Sequence, residues 1–576
     1  MSLLFKVFIA LILLTVTGCI KDKGPGVGSD NDGDTTVIKP QSDPPVAKTI
    51  GFFLDNWQPK TFAGVASYMN TSAPDASGVT VTIDRSTVLT KVPFSIFGNN
   101  ANIWMTQMVT EASLLESITQ LKPNIIRFPG GSISDIFFWD AQPNVPPVDA
   151  PAHLLNASGV NNPAGYWYGK NTANWTLSVD NYYSMLQQTG NKGMITVNYG
   201  YARYGTGANP VAAAAHLAAG WVRYDKGRTK YWEVGNENFG DWEAGYRIKT
   251  ADNKDGQPEF VTGQLYGQHF KVFADSMKKA AAEVGATIFI GAVMSESEPQ
   301  GWWTNTSKTW NSGMLAAAGN TPDFYVIHNY YTDYKTNANA ADILATPQTV
   351  TKKMTDYVNQ SVAAYGQTSK PFALDEYNIF SEGSKQQVSH INGLHAVMVL
   401  GESLKNNIGM AARWDLANGW NNGNDHGMFN QGDEPDGVPK WNARPAFYHL
   451  YFMQRFFGDR LVSSTSSDPD VLCYATSFTS GEMGVVLINK HAQPKSVELK
   501  VQHFAMGSRF LWYTLTGSSD NGEFSRKTLV NGIGPSFASG GPANYRTIPA
   551  QAAGTAKGVR VLVPPRSAVY LAIEKK

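Results

Sequence analysis

Eight short apolar runs, separated by stretches of helical periodicity, constrain this chain more than any other feature. The runs occupy residues 92–97, 124–128, 193–198, 230–234, 287–292, 323–328, 371–375 and 410–414. Helical patterns fall between them at 112–121, 179–189, 210–223, 264–284, 350–364 and 387–405. Ser178 is suited to cap the second helix, and Pro210 to open the first turn of the third. Strands that alternate with helices build a parallel sheet, because each parallel connection needs a crossover. Eight of them predict an α/β chain with a closed (β/α)8 TIM barrel over residues 92–457, finished by an aromatic-rich helix at 445–457. An open doubly wound sheet would show a Gly-rich phosphate turn after its first strand, and Phe97-Gly98-Asn99-Asn100 is not one.

Beyond residue 457 the pattern changes to short alternating runs at 470–476, 484–489, 496–501, 509–514, 558–562 and 567–573. These predict a C-terminal antiparallel β-sandwich over 458–576, interrupted by a Gly-rich insertion at 518–555 that has no readable period. Upstream, residues 49–91 carry Phe52, Phe53, Trp57, Phe62 and Tyr68, too much apolar surface for a linker. They alternate as a strand over 79–83, and the segment is expected to pack on the sandwich or the barrel.

Residues 1–19 read as a lipoprotein signal segment. Lys6 precedes an apolar run at 7–16 that is too short to span a bilayer. Val16-Thr17-Gly18-Cys19 resembles a bacterial lipobox. That resemblance implies a lipid on Cys19, an extracytoplasmic place on the cell envelope, and membrane contact through this anchor alone. With Cys19 lipidated, Cys473 is the remaining thiol and no intrachain disulfide forms; it is expected as a small buried apolar residue. Residues 20–48, rich in Gly, Pro, Ser and Asp, read as a flexible tether. Asp30-Asn31-Asp32-Gly33-Asp34 is not a calcium loop, since Thr35 and Gln41 stand where Gly and Glu are needed.

The 47 basic and 47 acidic residues balance, which excludes a polyanion footprint and argues against a nucleic-acid partner. An aromatic content of 12%, with 15 Trp and 25 Tyr, is compatible with stacking on sugars.

The expected strands end in polar and aromatic residues that a barrel would gather on one rim. Arg127 ends the second, Asn198 the third, Asn236-Glu237 the fourth, His328-Asn329-Tyr330 the sixth, Glu376 the seventh and Trp414 the eighth, with Trp420 in the loop that follows. Glu237 and Glu376 face one another across such a barrel. Two carboxyls across a scissile bond are what glycoside hydrolysis needs, one to protonate the leaving oxygen and one to attack the anomeric carbon. Asn236 suits a sugar hydroxyl, so strand four is read as carrying the acid/base and Glu376 as the nucleophile. Tyr330 and Arg127 would keep Glu376 ionised, and its charge would raise the pKa of Glu237. Glu233 is expected to pair with Arg127 or Arg413, Asp375 to point away from Glu376, and Trp232 to lie in the core, with Trp242 a possible sugar platform. His328 reads as a hydrogen-bonded core residue. Neither a metal nor a cofactor is expected, since no His, Asp or Cys cluster has metal spacing along the chain.

These motifs resemble clan A of the glycoside hydrolases, and within it the family 51 α-L-arabinofuranosidases. Ile126-Arg127-Phe128-Pro129-Gly130-Gly131, Gly235-Asn236-Glu237, His328-Asn329-Tyr330 and Asp375-Glu376-Tyr377-Asn378 carry the resemblance. It implies retaining hydrolysis of an oligo- or polysaccharide by Glu237 and Glu376, with Asn236, Tyr330 and Arg127 in support. One departure bears on the sugar. The family holds its arabinose with a Glu shortly after the first barrel strand, where this chain has Asn102. Endo-acting β-glycanases of the same clan, and a non-catalytic glycan-binding surface lipoprotein, are the alternatives.

Overall fold

The computed structural model describes residues 37–380, 382–518 and 523–576. The signal segment, Cys19 and the tether up to residue 36 lie outside the described residues. Residues 38–576 form one compact unit.

Eight parallel strands close into the expected barrel, in sequence order around the ring. They are Gly98–Asn100, Ile125–Phe128, Lys192–Val197, Tyr231–Val234, Phe289–Val293, Phe324–Asn329, Phe372–Tyr377 and Met410–Arg413, numbered one to eight below. The first is the one misplaced by the sequence reading. Phe94–Phe97 is a turn of 3-10 helix, and the strand follows it as Gly98–Asn100, whose three polar or small residues hide it from an apolar pattern. A helix at Asn305–Ala318, capped by Thr304 accepting from the Ser307 N–H, was also not legible. The helix expected from residue 350 starts ten residues earlier, as Ala340–Ala364, and runs through Pro347.

The barrel's lower end is filled from the N-terminal segment. Gly51–Leu54 forms a 3-10 turn that buries Phe53 with Ile125, Met194, Tyr231, Phe324 and Met410, the inward residues of the strand beginnings. Phe52 stacks on Phe289 with ring centroids 3.8 Å apart.

The C-terminal strands belong to one eleven-stranded sheet. It encloses a second core that includes Val81, Ile83, Val485, Leu487, Val561, Leu571 and Cys473. The sheet is mixed rather than purely antiparallel, because residues from before the barrel complete it. Val79–Lys91 pairs antiparallel with Arg460–Ser466 and parallel with Lys495–Gln502. Tyr68–Asn70 lies parallel to Ala550–Gly554. The segment 49–91 is thus split between barrel floor and sheet. Part of the expected tether is also docked: Asp43 pairs with Arg460 at 2.6 Å, and the Gln41 amide donates to the Arg85 carbonyl at 2.7 Å. The insertion reaches over the barrel loops. Arg526 pairs with Glu434 at 3.0 Å and Asp436 at 2.7 Å, and Glu523 accepts from the Ala340 N–H at 2.9 Å.

Candidate active site

Strand four delivers Glu237 through a sharp turn. Gly235 has φ +75°, and a Cβ there would lie 2.0 Å from Asn238 Oδ1. Glu237 itself sits at φ +41°, a left-handed backbone that non-Gly residues adopt at a cost of order 1 kcal/mol. The turn is held from strand two's loop. Buried Asp135 accepts from the N–H groups of Tyr199, Gly200 and Asn236 and from the Asn238 amide, at 2.7–3.2 Å. Burial pushes the Asp135 carboxyl up to about 7 against those donors.

The Glu237 carboxylate is bracketed. His328 Nδ1 lies 2.9 Å from Oε1, and the Trp242 indole N–H donates to Oε2 at 3.2 Å. Across the barrel, Tyr330 donates to Glu376 Oε1 at 2.5 Å and Arg127 Nη1 to Oε2 at 3.1 Å. One oxygen of Glu237 and one of Glu376 lie within 4.8 Å of each other. The structure therefore brings Glu237, Glu376, His328, Tyr330, Arg127 and Asn236 into one cluster.

Arg127 is its fixed cation. Fully buried, it donates to Glu233 Oε2 at 2.8 Å and to Asn236 Oδ1 at 2.8 Å, and its Nε lies 3.3 Å from Asp375. Of the two partners read for Glu233, Arg127 and Arg413, the structure has Arg127. Asn236 passes the contact on, donating to Glu243, which also accepts from Ser132. The orientation expected for Asp375 is corrected. The register against strand six slips between Ile327 and His328, so that Leu374 faces Ile327 and Glu376 faces His328. This bulge turns both Asp375 and Glu376 toward the cluster, where simple alternation would separate them. Asp375 Oδ1 lies 3.2 Å from His328 Nε2.

The pKa expected for Glu237 is also corrected. Burial raises it, but the His328 hydrogen bond and charge prevail and hold it below the usual carboxylate range. Glu376 is raised by burial and by Glu237, against the pull of His328, Arg127 and Tyr330. Burial disfavours the His328 imidazolium, yet Glu376, Asp375 and Glu237 together lift its pKa well above the ordinary value. The proton of the Glu237–His328 pair therefore rests on the imidazole, with Glu237 as the carboxylate.

Other expected residues stand apart. Asn198 spends both amide atoms on the scaffold, donating to Phe137 O and Tyr204 Oη and accepting from the Tyr201 N–H. Asn102 is fully buried and donates to Asp415 Oδ2 at 2.5 Å. Trp414 is buried against the Gly130-Gly131 turn, where a Cβ on Gly131 would lie 2.6 Å from its ring. Trp420 lies over two cations, 5.0 Å from Arg526 and 5.8 Å from Arg444. Trp232 is core, whereas Trp242 is 60% exposed at the rim. Asp135 and Glu243 were missed, since nothing in their spacing distinguishes them from surface carboxylates.

Two triads of ligand-type atoms, Glu233–His328–Asp375 and Glu237–His328–Glu376, each fall within 4.8 Å. Linear spacing could not show them, because their members come from different strands. Arg127 already neutralises the first, standing 2.8 Å from Glu233 and 3.3 Å from Asp375. A metal ion there would face a buried guanidinium.

Residues 117–343 match the family model described as the alpha-L-arabinofuranosidase 1 domain. Among solved structures, the alpha-L-arabinofuranosidase of Thermotoga maritima, in complex with arabinose, is 17% identical and superposes with a TM-score of 0.58 over 86% of this chain and 100% of that one. The family 51 enzyme of Bifidobacterium longum is 16% identical, with a TM-score of 0.57 over 87% of this chain and 100% of the other. A Paenibacillus polymyxa xyloglucanase of family 44 is 12% identical, with a TM-score of 0.56 and coverage of 87% and 100%. No curated protein matches the chain by sequence. The resemblance to clan A and to its arabinofuranosidases is thus met by the family model and by the shared fold.

Proposed function

We propose that this chain is a retaining glycoside hydrolase acting on plant or algal polysaccharide, arabinofuranosidase-like in its machinery. The observation that carries the reading is the approach of Glu237 and Glu376 to within 4.8 Å at the ends of strands four and seven. Carboxyls about 5–5.5 Å apart suit double displacement, whereas inversion needs room for a water and about 6.5–9.5 Å.

In this mechanism a Glu376 oxygen attacks the anomeric carbon as the glycosidic C–O bond breaks. Glu237 delivers a proton to the departing oxygen. That proton comes from the pair it forms with His328 across 2.9 Å. A glycosyl ester on Glu376 results. Water then attacks the same carbon, gives its proton to Glu237 and frees Glu376. Tyr330 and Arg127, one on each Glu376 oxygen, orient the carboxylate and stabilise its charge when the ester breaks.

An endo-acting β-glycanase is the second reading. It is favoured by Asn102, which offers an amide already tied to Asp415 in place of a sugar-holding carboxylate. The exposed indoles of Trp242 and Trp302 in the loops after strands four and five would suit a polymer. Val16-Thr17-Gly18-Cys19 supports the further proposal of lipid anchoring outside the cytoplasm. Among the described residues no helix is long and apolar enough to cross a membrane.

The test is hydrolysis by protein lacking residues 1–19, alone and as Glu376→Ala, on an aryl α-L-arabinofuranoside and a panel of plant and algal polysaccharides. Arabinoside cleavage lost in the variant would support the first reading, and polysaccharide cleavage alone the second. Binding without cleavage would sink the enzyme reading and favour a glycan-binding lipoprotein.

A further inference from the structure

The carboxylate cluster is open to solvent on one side. At the ends of strands one to three, Asn100, Asn102 and Arg127 are 0% exposed and Asn198 5%. At the ends of strands four and six, the Glu237 side chain is 18% exposed, Asn329 and Tyr330 are half-buried, and Trp242 stands out at the rim. A substrate reaches the cluster beside Glu237. In the double displacement proposed above, on which this inference rests, Glu237 must touch the glycosidic oxygen. The departing group therefore lies on the open side, between the loops that follow strands four and five.

A third carboxyl stands at that place. Glu296, in the loop after strand five, is half-buried, and its Oε1 accepts from the Asn329 amide at 2.9 Å. Asn329 lies between His328, which contacts Glu237, and Tyr330, which donates to Glu376. Glu296 is thus tied to the strand end that carries both contacts. The backbone just before it is fixed as well. The Ser295 N–H donates to Asn311 Oδ1 at 2.9 Å, and the Ser295 carbonyl accepts from the Asn311 amide at 2.8 Å. Both bonds clamp the loop to the helix Asn305–Ala318. Burial above all, with the Glu237 charge, lifts the Glu296 carboxyl to about 7, against its own N–H, Asn329 and His328. Near neutrality such a group both donates to and accepts from a hydroxyl.

We propose that Glu296 is a specificity-determining residue of the leaving-group subsite, where its carboxyl binds hydroxyls of the departing sugar beside the Trp242 indole. A carboxylate has room for two neighbouring hydroxyls at once, and these charge-assisted bonds are the strong ones. The Trp242 N–H reaches Glu237 Oε2 at 3.2 Å, so its exposed ring borders the departing oxygen and offers an apolar face to a sugar. The substrate class that fits is a bond between two sugars. A sugar joined to an aryl group brings no hydroxyls to Glu296.

The test compares kcat/KM within two pairs of substrates, para-nitrophenyl α-L-arabinofuranoside with arabinotriose and para-nitrophenyl β-cellobioside with cellotetraose. Protein lacking residues 1–19 is used as wild type, Glu296→Ala, Glu296→Gln and Glu376→Ala, each at its own pH optimum, because Glu296 also acts on the charge of Glu237. In the pair that wild type cleaves, Glu296→Ala should lose about tenfold or more on the oligosaccharide beyond its loss on the aryl glycoside. Glu296→Gln, which keeps two hydrogen-bonding positions, should recover part of that difference. Equal losses on both members of the pair would make Glu296 a brace for Asn329 and overturn the proposal, as would no loss on either. Cleavage that survives in Glu376→Ala, or none by wild type, would instead sink the hydrolase reading and this proposal with it. Melting temperatures of the variants keep misfolding separate from lost recognition.

Discussion

His328 Nδ1 lies 2.9 Å from Oε1 of Glu237, a contact that joins the ends of strands six and four. The same ring stands 3.8 Å from Glu376 and 3.2 Å from Asp375. The imidazole thus lies within 4 Å of both carboxylates of the proposed reaction, and its charge favours the ionised form of each.

That charge has a measurable sign. The folded-state pKa of His328 is raised above its unfolded value, so its contribution to stability is complete below about pH 6.5 and fades as pH rises through the folded value. The melting-temperature margin of wild type over His328→Ala, measured by calorimetry from pH 6.5 upward, should therefore narrow toward alkaline pH. A margin that widens would show that the ring is neutral in the fold.

Replacing Glu237 by Ala should remove acid/base assistance but leave the nucleophile. Turnover of substrates with poor leaving groups is expected to fall about 10²–10⁴-fold, and that of a dinitrophenyl glycoside far less at the first step. Added azide should restore turnover and yield a glycosyl azide with the substrate's anomeric configuration, which NMR can read. An inverted product would contradict double displacement.

Arg127→Ala would strip Glu233 and Asp375 of the guanidinium between them and leave His328 as their remaining cationic neighbour. Breaking such pairs costs about 3–5 kcal/mol, so urea denaturation should show a loss of that order. Glu233→Gln/Arg127→Met should recover part of it, since both charges are then gone.

Gly131→Ala tests how closely the loop after strand two meets Trp414. Gly131 has φ +62°, and the added Cβ would lie 2.6 Å from the indole. A destabilisation of about 1–3 kcal/mol is expected, together with a change in tryptophan fluorescence as the ring shifts. An unchanged spectrum and melting temperature would mean that the loop moves freely.

Arg526→Ala tests whether the sheet's insertion steadies the loop after strand eight. Arg526 and Asp436 are partly exposed, and buried Glu434 keeps Arg444 at 3.1 Å, so stability should change by no more than about 1 kcal/mol. KM for polysaccharide should rise severalfold while kcat on an aryl glycoside stays constant, because the cation underlies Trp420 rather than the carboxylates.

The barrel was legible because seven of its strands are apolar runs between periodic helices. The strand Gly98–Asn100 was not, because it is too short and polar to register. Glu237 and Glu376 could be read from the residues beside them and from strand order. Their pKa directions could not, because these depend on His328 lying between them. Asp375 was misjudged for a similar reason. Alternation along a strand says nothing of a bulge, which the pairing partner creates. The bridge from Asn236 to Glu243 and Ser132 joins separate loops and leaves no trace in local spacing.

The strand Val79–Lys91 sits between Arg460–Ser466 and Lys495–Gln502 in the sheet. As the chain emerges during synthesis, this strand therefore appears before the entire barrel and finds its neighbours only after the barrel is made. For all that time it is an unpaired edge, open to pairing with other chains. The apolar residues of its alternating stretch must stay shielded by a holding factor or by delayed collapse. The carboxyl-terminal strands, for their part, are not a separable appendage to the barrel, since they pair with the strand that precedes it. The segments 68–91 and 460–575 mature together, and the barrel between them is an insertion into the sheet.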